Sequence, residues 1–345
     1  MKSIVLPPLS LLYGAVTRTR LSLYRRGTFQ TTKLDRPVIS IGNITVGGTG
    51  KTPLVEYVAR TVAAQGKRVC ILTRGYGRKD AHLQVIVSDG YGVLASPGEA
   101  GDEPYLLATK LAGQAAVISS ADRIAAAQEA IKDFGTEVFV LDDGFQHLRL
   151  ARDLNIACID ATNPWGGGRL LPYGRLREAP EGLRRADCVV LTRCDQIESV
   201  EALREQVREL IEGRPIFESR MRPVRVVSLK NGPETMAVPG RVGAFCAVGN
   251  PASFFESLRS LGYELGLERA FADHHGYSQG DVDALNELAK ETGANALITT
   301  AKDAVKLKGM AFALPCYVLE IEIAIDDADG FQKVVLDRIY KIPQD

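Results

Sequence analysis

The stretch from 38 to 53, Val-Ile-Ser-Ile-Gly-Asn-Ile-Thr-Val-Gly-Gly-Thr-Gly-Lys-Thr-Pro, constrains the fold of this chain more than any other. An apolar run typical of a buried strand leads into a glycine-rich turn, and Gly50-Lys51-Thr52 then opens a predicted helix with Pro53 in its first turn. Backbone N–H groups and the helix dipole both favour an anion at such a junction, which makes it a phosphate cradle. The sequence therefore predicts a binding site for a nucleoside triphosphate.

This motif departs from the pattern G-x-x-x-x-G-K-[ST] at its first position, which is Thr45, and Gly47 and Gly48 supply the flexibility instead. An ordinary glycine turn is the alternative interpretation, but the strand-to-helix context favours the phosphate site. In that site the lysine reaches the β- and γ-phosphates and the threonine hydroxyl can hold Mg²⁺. The residues predicted to contact the nucleotide are Thr45, Val46, Gly47, Gly48, Thr49, Gly50, Lys51 and Thr52.

Apolar runs alternate with helical patterns over most of the chain. The predicted strands are 37–42, 68–73, 84–88, 115–119, 137–142, 154–160, 187–192, 224–229, 242–248, 295–299 and 316–323. The predicted helices are 53–65, 103–112, 121–133, 199–212, 253–261, 279–291 and 329–340. The fold class predicted is α/β: a mostly parallel sheet like that of P-loop NTPases, with helices on both faces, and a second, smaller α/β domain.

The length of 345 residues favours two domains. The turn-rich stretch with Asn231-Gly232-Pro233 and Val238-Pro239-Gly240 indicates a boundary. We therefore predict an N-terminal segment, a P-loop domain, a linker and a smaller domain, over residues 1–30, 31–222, 223–240 and 241–345.

Composition narrows the possible partners and the compartment. Lys plus Arg and Asp plus Glu number 42 each, so no overall field attracts nucleic acid, and we expect no nucleic-acid partner. The six cysteines contain no C-x-x-C pair, and most lie in apolar runs, which is typical of buried thiols in a reducing compartment. The sequence thus predicts a location on the cytoplasmic side of the membrane, and no obligate protein partner is evident.

The first thirty residues combine apolar side chains with Arg18, Arg20, Arg25 and Arg26. No uninterrupted apolar stretch is long enough to span a bilayer, and no signal-peptide cleavage site follows. Two interpretations stay open from these residues: a basic amphipathic helix on an anionic membrane surface, or a helix packed on its own domain.

Two carboxylates, Asp142 and Asp143, end the apolar run Val-Phe-Val-Leu. Mg²⁺ beside a triphosphate requires oxygen ligands at the end of a strand, so in the presence of the P-loop this pair is a candidate metal site. The continuation Gly-Phe-Gln146-His147 places an imidazole one turn beyond it.

Asp102 and Asp273 each have two interpretations. Asp102 precedes a predicted helix and is either its N-cap or a carboxylate base aimed into a cleft. Asp273-His274-His275 cannot supply tetrahedral metal geometry from three adjacent residues, so the alternatives are an imidazole that acts across a cleft and a helix cap with surface histidines.

The tetrapeptide Thr192-Arg193-Cys194-Asp195 follows a predicted strand. Guanine-specific P-loop proteins carry Asn/Thr-Lys-x-Asp at such a position, where the aspartate reads the base, and here arginine replaces the lysine. A membrane-associated nucleotide switch, ATPase or GTPase, therefore remains an alternative function. Loop arginines beside glycines, including Arg74 and Arg177, are candidate phosphate ligands.

Taken together, these motifs resemble the tetraacyldisaccharide 4'-kinase family, the lipid A kinases of Gram-negative bacteria. The matching stretches are Thr45–Pro53, Thr73–Arg78, Gly101–Glu103, Leu141–His147, Leu176–Glu178, Thr192–Asp195, Asp273–His275 and Thr299–Asp303. The resemblance implies ATP- and Mg²⁺-dependent phosphorylation of the 4'-hydroxyl of a tetraacyldisaccharide 1-phosphate, at the cytoplasmic face of the bacterial inner membrane.

The resemblance also implies roles for individual residues. It makes Asp102 the catalytic base, supported by His274, and it assigns Lys51, Asp142 and Asp143 to catalysis and Thr52, Asp142 and Asp143 to Mg²⁺. It favours the membrane interpretation of the N-terminal segment. The residues that it implies for the lipid substrate are Arg74, Tyr76, Arg123, Gln146, His147, Arg177 and Glu178.

Overall fold

A computed structural model of the chain describes residues 2–340 apart from 77, 79, 81 and 231–239, with only the backbone described for 2–5. The turns predicted over 231–233 and 238–239 lie outside the described residues. The strands are β1 (Val38–Gly42), β2 (Val69–Thr73), β3 (Val85–Asp89), β4 (Ala115–Ser119), β5 (Val138–Asp142), β6 (Leu154–Asp160), β7 (Cys188–Thr192), β8 (Ile216–Ser228), β9 (Arg241–Cys246), β10 (Glu264–Ala270), β11 (Ala296–Thr300) and β12 (Cys316–Ile325). The helices are α1 (Lys2–Arg25), α2 (Lys51–Ala63), α3 (Pro97–Ala100), α4 (Asp102–Lys110), α5 (Arg123–Phe134), α6 (Glu201–Leu210), α7 (Pro251–Ser260), α8 (Gln279–Glu291), α9 (Ala301–Leu307) and α10 (Ala328–Tyr340).

The strands of the described residues form one twelve-stranded sheet in the order β10-β9-β11-β12-β8-β7-β6-β1-β5-β2-β4-β3. Pairing is parallel except at β3 with β4 and at β8 with β12. Four of the central strands, β1, β5, β6 and β7, are buried along their whole length, which explains why apolar residues dominate their sequences. This confirms the predicted α/β class with a mostly parallel sheet.

The register places the two phosphate-site motifs side by side. β1 lies between β5 and β6. Ile41, just before the glycine-rich loop, pairs with Asp142 at the end of β5. Because parallel strands end at the same edge of a sheet, the P-loop and the paired carboxylates meet there.

β8 joins the two halves of the sheet. Its first residues pair in parallel with β7, and the remainder, from Ser219 to Ser228, pairs antiparallel with β12. The predicted domain boundary after residue 222 thus falls within a strand that contributes to both halves. Phe331 and Val335 of α10 also pack in the same core as β1 and α2 of the first half. The division into domains stays a prediction.

The predicted elements agree with those of the structure within a few residues, with four differences. β8 begins at 216 rather than 224, and α3, β10 and α9 were not predicted. β10 is an exposed edge strand of alternating polar character, and α9 is only seven residues long. Both therefore lack the long apolar periodicity on which such predictions depend.

The N-terminal segment is a single helix, α1, that includes Pro7 and Pro8. Ser10 donates a hydrogen bond to the carbonyl of Leu170 at 2.9 Å, and Arg20 donates one to the carbonyl of Gln146 at 3.3 Å. The helix therefore packs on the first half of the chain. Within the described ranges, no helix combines the length and apolarity needed to cross a membrane.

Candidate active site

A cavity of about 1140 Å³ lies where the carboxyl ends of the strands meet the second half of the chain. The P-loop from Val46 to Pro53, α1 and the loop from Val248 to Asn250 all contribute to its wall. The predicted site residues that line it are Val46, Gly47, Gly48, Thr49, Gly50, Lys51, Thr52, Arg74, Tyr76, Arg123, Asp142, Asp143, Gln146, His147, Arg177, Glu178 and His274. Thr45 and Asp102 do not line it, because Thr45 is buried in a bridge to Leu176 and Asp102 lies behind His274.

The P-loop adopts the conformation that its glycines predict. Gly50 is the N-cap of α2 with φ 79°, in the left-handed region that favours glycine, and Gly47 has φ 113°. The loop is held from outside: the carbonyl of Gly48 accepts a hydrogen bond from Arg193 at 2.8 Å, and the carbonyl of Thr49 accepts one from Thr192 at 3.0 Å. Val46 also donates its N–H to the carbonyl of Arg175 at 2.8 Å. These bonds hold the loop in place at the N-terminus of α2, where a phosphate is favoured.

The two carboxylates after β5 have opposite electrostatic environments. Asp142 is buried and accepts a hydrogen bond from Thr73 at 3.1 Å. Burial, with the negative charges of Glu103 and Asp143, raises its pKa to about 6. Asp143 lies 3.7 Å from Lys51 and accepts two hydrogen bonds from Arg177, at 2.6 and 2.8 Å. Burial alone would raise the pKa of Asp143, but Lys51 and Arg177 outweigh it and hold that pKa below its usual value.

Thr52, Asp142 and Asp143 fit the Mg²⁺ site that was predicted. Asp142 is a buried carboxylate in a negative field, so a cation would lower the cost of its charge. The described part of the chain holds no group of three or more His, Cys, Asp or Glu side chains arranged for a metal. Two carboxylates and a hydroxyl suit Mg²⁺, which in proteins keeps water and substrate phosphates among its ligands.

Backbone strain marks two of the predicted site residues. Asp143 has φ 50° and His274 has φ 62°, both in the left-handed region that residues other than glycine rarely adopt. Such conformations persist where surrounding contacts over-determine them, and they cluster at functional sites.

The predicted lipid-binding residues are brought together around a network of hydrogen bonds. Gln146 donates to the carbonyl of Asn43 and to Glu178, both at 2.8 Å, and Glu178 also accepts from Arg185. Burial, together with nearby arginines, lowers the pKa of His147 to about 3, so its imidazole is neutral at physiological pH.

The arginines of this predicted set differ in their surroundings. Arg123 is buried and donates to the carbonyls of Asp142 and Asp143 at 2.6 and 3.3 Å, so its guanidinium supports the end of β5. Arg74 is exposed, and its guanidinium lies 5.3 Å from the ring centroid of Tyr76. The Arg74 guanidinium also donates a hydrogen bond to the Tyr76 hydroxyl at 3.2 Å, and its exposure makes it accessible to a ligand from solution.

Asp102 and His274, far apart in sequence, lie together across the cleft. His274 Nδ1 is 3.4 Å from Asp102 Oδ2, and Lys306 Nζ is 3.0 Å from the same oxygen. Burial acts to raise the pKa of Asp102, but hydrogen bonds from His274 and Lys306 outweigh burial and lower it. Asp102 is therefore ionised at neutral pH.

Neither Asp102 nor Asp273 is the N-cap of a helix, so the capping interpretation that the sequence left open is wrong for both. The N-cap of α4 is Gly101, and Asp102 is the first residue of that helix. The N-cap of α8 is Ser278, whereas Asp273 pairs with Lys302 at 3.1 Å. The chain thus uses other residues for capping and leaves both aspartates to the cleft.

The strand end after β7 does not carry the guanine-reading geometry. Arg193 is buried, with its guanidinium paired with Asp160 and bonded to the P-loop carbonyl of Gly48. Asp195 does not line the large cavity and lies in a separate, smaller depression. The residue that replaces the usual lysine therefore supports the phosphate loop from behind.

The sequence assigned no role to Lys302, Lys306 or Gly249, although Lys302 lies within the matching stretch Thr299–Asp303. The two lysines lie on α9, and the available signal was Thr300 followed by Asp303, a capping pattern: Thr300 accepts a hydrogen bond from the Asp303 backbone N–H at 3.2 Å. Gly249 gave no local signal, because its role depends on its approach to the P-loop from the other half of the chain.

The fold and the site together define a nucleotide-binding α/β protein of the P-loop class whose phosphate-binding loop lines one wall of a large cavity. Comparison with known proteins narrows this class. The family profile described as tetraacyldisaccharide-1-P 4'-kinase matches residues 2–340, and the chain belongs to this family.

Individual relatives agree with this assignment. The chain is 46% identical over 333 residues to the tetraacyldisaccharide 4'-kinase of Geobacter metallireducens, covering 96% of each chain. It is 44% identical over 314 residues to that of Geobacter sulfurreducens, covering 90% of this chain and 86% of the relative. The crystal structure of LpxK from Aquifex aeolicus in complex with ATP superposes with a TM-score of 0.75 at 34% identity, over 96% of this chain and 98% of the other.

Proposed function

We propose that this protein transfers the γ-phosphate of ATP to the 4'-hydroxyl of a tetraacyldisaccharide 1-phosphate. One observation carries the proposal: a single cavity joins the P-loop, the carboxylates after β5, His274 and the cleft-facing side of α1. That arrangement has room for a nucleotide and a large acceptor side by side. Family membership supplies the identity of the acceptor.

The charges at the cavity suit phosphoryl transfer, which requires mostly positioning and neutralisation of phosphate charge. Lys51 at the start of α2 and Arg177 opposite it both contact Asp143 in this structure, so both cations are held next to the predicted phosphate position. Mg²⁺, held by Thr52, Asp142 and Asp143, would supply further charge neutralisation on the triphosphate.

We assign the role of general base to Asp102. A sugar hydroxyl is a poor nucleophile, and a carboxylate that takes its proton accelerates the attack on the γ-phosphate. Asp102 is ionised, its side chain keeps 17% exposure, and His274 lies between it and the cavity. His274 orients the carboxylate through the contact to Oδ2.

The helix α1 supports both the proposed binding of the acyl chains and the proposed location of the protein. Tyr13, Thr17 and Leu21 face the cavity at helical spacing, whereas Leu12 and Val16 on another face are 61% and 58% exposed. An apolar helix face next to exposed arginines suits an anionic bilayer surface. We therefore place the protein peripherally on the cytoplasmic face of the inner membrane, where the lipid can enter beside α1.

The test is to incubate the protein with ATP labelled at the γ-phosphate, Mg²⁺ and tetraacyldisaccharide 1-phosphate, and to locate the label in the product. Label on the 4'-oxygen, dependent on the lipid, is the expected result. Hydrolysis of ATP at the same rate with and without the lipid would contradict the kinase assignment and favour the nucleotide switch.

A double-mutant cycle of Asp102→Asn and His274→Ala tests the base. If the two act as one unit, the double variant loses little more kcat than the worse single variant. Fully multiplicative losses, or a selective rise in KM for ATP, would assign the two residues to separate tasks.

A further inference from the structure

We propose that Lys302 and Lys306, one turn apart on α9, are positioning residues that fix the protonation and hydrogen-bonding state of the Asp102–His274 pair. This inference rests on the proposed function only in its consequence for the rate; the state of the pair itself is a property of the resting protein. The lysines are four residues apart, so they share one face of the helix. Their side chains are only 15% and 10% exposed.

Lys306 contacts Asp102 directly and reaches the loop that carries His274 through the neighbouring residue, His275. Its Nζ lies 3.0 Å from Asp102 Oδ2 and donates a hydrogen bond to the backbone carbonyl of His275 at 3.1 Å. It thereby links the carboxylate on α4 to the loop that carries His274, across the two halves of the chain. An ammonium at this distance favours the charged carboxylate.

Lys302 selects the tautomer of His274. Its Nζ lies 3.4 Å from His274 Nε2. An ammonium group has donors and no acceptor, so Nε2 must be the unprotonated nitrogen of the ring. The ring proton is then on Nδ1, which lies 3.4 Å from Asp102 Oδ2 and can donate to it. The imidazole in this state is a neutral donor that orients the carboxylate without taking its charge.

The position of Lys302 is itself fixed by two carboxylates, Glu103 at 3.2 Å and Asp273 at 3.1 Å. Burial acts to lower the pKa of Lys302, but these two charges outweigh it and raise the pKa, so Lys302 remains an ammonium. The charged groups that face the pair are thus Glu103 from α4, Asp273 from the loop, and Lys302 and Lys306 from α9.

The backbone conformation of His274 also shows that its surroundings hold this residue in place. His274 has φ 62°, a conformation that costs a residue other than glycine about 1–3 kcal/mol unless its surroundings hold it. Lys306 on the carbonyl of the next residue and Lys302 on the ring hold it from two directions.

Lys306→Met tests the effect on the carboxylate, because methionine has a similar shape with neither charge nor donor. Without a bound cation Asp142, whose pKa is raised to about 6, would become protonated before Asp102, so the profile is recorded in saturating Mg²⁺, which favours the charged form of Asp142. Activity then falls at low pH when Asp102 becomes protonated, and the loss of Lys306 raises the pKa of Asp102. The acidic limb of the kcat–pH profile should therefore move to higher pH by about one unit. Asp102 stays ionised at neutral pH after such a shift, so kcat there should fall about tenfold because the carboxylate is less well positioned, with little change in KM for ATP.

Lys306→Arg keeps the charge and should keep the acidic limb near its original position. Lys290→Met, on the exposed surface of α8, is the matched control and should behave as the unmodified protein. An unchanged acidic limb in folded Lys306→Met would overturn the role of Lys306.

Lys302→Met tests the tautomer without using activity. The chain has four histidines, so the ring nitrogens of His274 can be identified in a ¹⁵N NMR spectrum by their loss in His274→Ala. In the unmodified protein at neutral pH, the proton should be found on Nδ1, and Lys302→Met should increase the population with the proton on Nε2. A ring already protonated on Nε2, or a spectrum unaffected by Lys302→Met, would overturn the role of Lys302.

The two readouts separate this inference from the proposed function. If Asp102→Asn retains full kcat, Asp102 is not the base, and the NMR experiment still decides whether the lysine selects the tautomer. If Asp102→Asn abolishes turnover while both methionine variants are silent, the base assignment stands and the lysines have no positioning role.

Discussion

Gly249 offers a sharp test of how closely the second half of the chain approaches the P-loop. A Cβ atom at this position would lie 2.5 Å from the backbone nitrogen of Gly48 and 3.3 Å from the Cα of Gly47. Ordinary carbon contacts begin near 3.5 Å, and both neighbours are main-chain atoms that cannot rotate away. In Gly249→Ala either the P-loop or the loop at 248–250 must therefore move by about 1 Å to reach that separation.

The expected loss is kinetic, because the displaced atom belongs to the phosphate cradle. A misplacement of about 1 Å of groups that position a substrate costs about 100-fold in rate. We therefore expect kcat/KM for ATP to fall between about tenfold and about 100-fold. Overpacking of this kind costs about 1–3 kcal/mol of stability, so the fold itself should survive.

The assay combines steady-state kinetics at varied ATP with calorimetric measurement of ATP binding and a thermal melt. Gly92→Ala is the control, since a Cβ there meets no atom within 4 Å and the residue is outside the left-handed region. If Gly249→Ala binds ATP and turns over like Gly92→Ala, the approach of the two halves seen here does not persist in solution.

Four further outcomes are expected. Lys51→Ala should lower kcat at least about 100-fold, because it removes a charge that stabilises developing phosphate charge. The circular dichroism spectrum should be unchanged, and near-normal turnover would exclude the P-loop from the mechanism. ATP should support turnover far better than GTP, since Arg193 is buried under the P-loop and Asp195 lies outside the large cavity. A preference for GTP in the same assay would favour the alternative function, a nucleotide switch. Replacing Leu12 and Val16, both more than half exposed, by asparagine should weaken sedimentation with anionic liposomes, and unchanged sedimentation would mean that this face has another role. Asp142→Asn should raise the melting temperature of the Mg²⁺-free protein at pH 8. Burial raises the pKa of Asp142 to about 6, so above pH 6 the charged carboxylate destabilises the folded state by roughly 3 kcal/mol at most. As pH falls from about 6 towards 4 the native aspartate becomes protonated, and the difference between the two proteins should disappear; a pH-independent difference would contradict this account.

Local sequence determined the P-loop and the strands around it. A phosphate cradle requires a buried strand, glycines able to adopt positive φ and a helix N-terminus in direct succession, and residues 38–53 carry all three. The strands from β1 to β7 were predicted within about two residues, because their apolar runs are continuous and bounded by turns. Asp142 and Asp143 were found for the same reason, since a strand end is a position that sequence can specify.

Only the tertiary structure decided which side chains share the cleft. Asp102 and Lys306 are more than two hundred residues apart, and nothing in either neighbourhood specifies the 3.0 Å between them. The capping alternatives for Asp102 and Asp273 were physically sound, and they failed because Gly101 and Ser278 occupy those positions. Local pattern determines strands, turns and helix ends, because the forces that make them act over a few residues. Contacts between the two halves depend on how β8 joins them into one sheet, and that is a property of the whole chain. Examples are the ion pair of Lys302 with Glu103 and the close approach of Gly249 to Gly48.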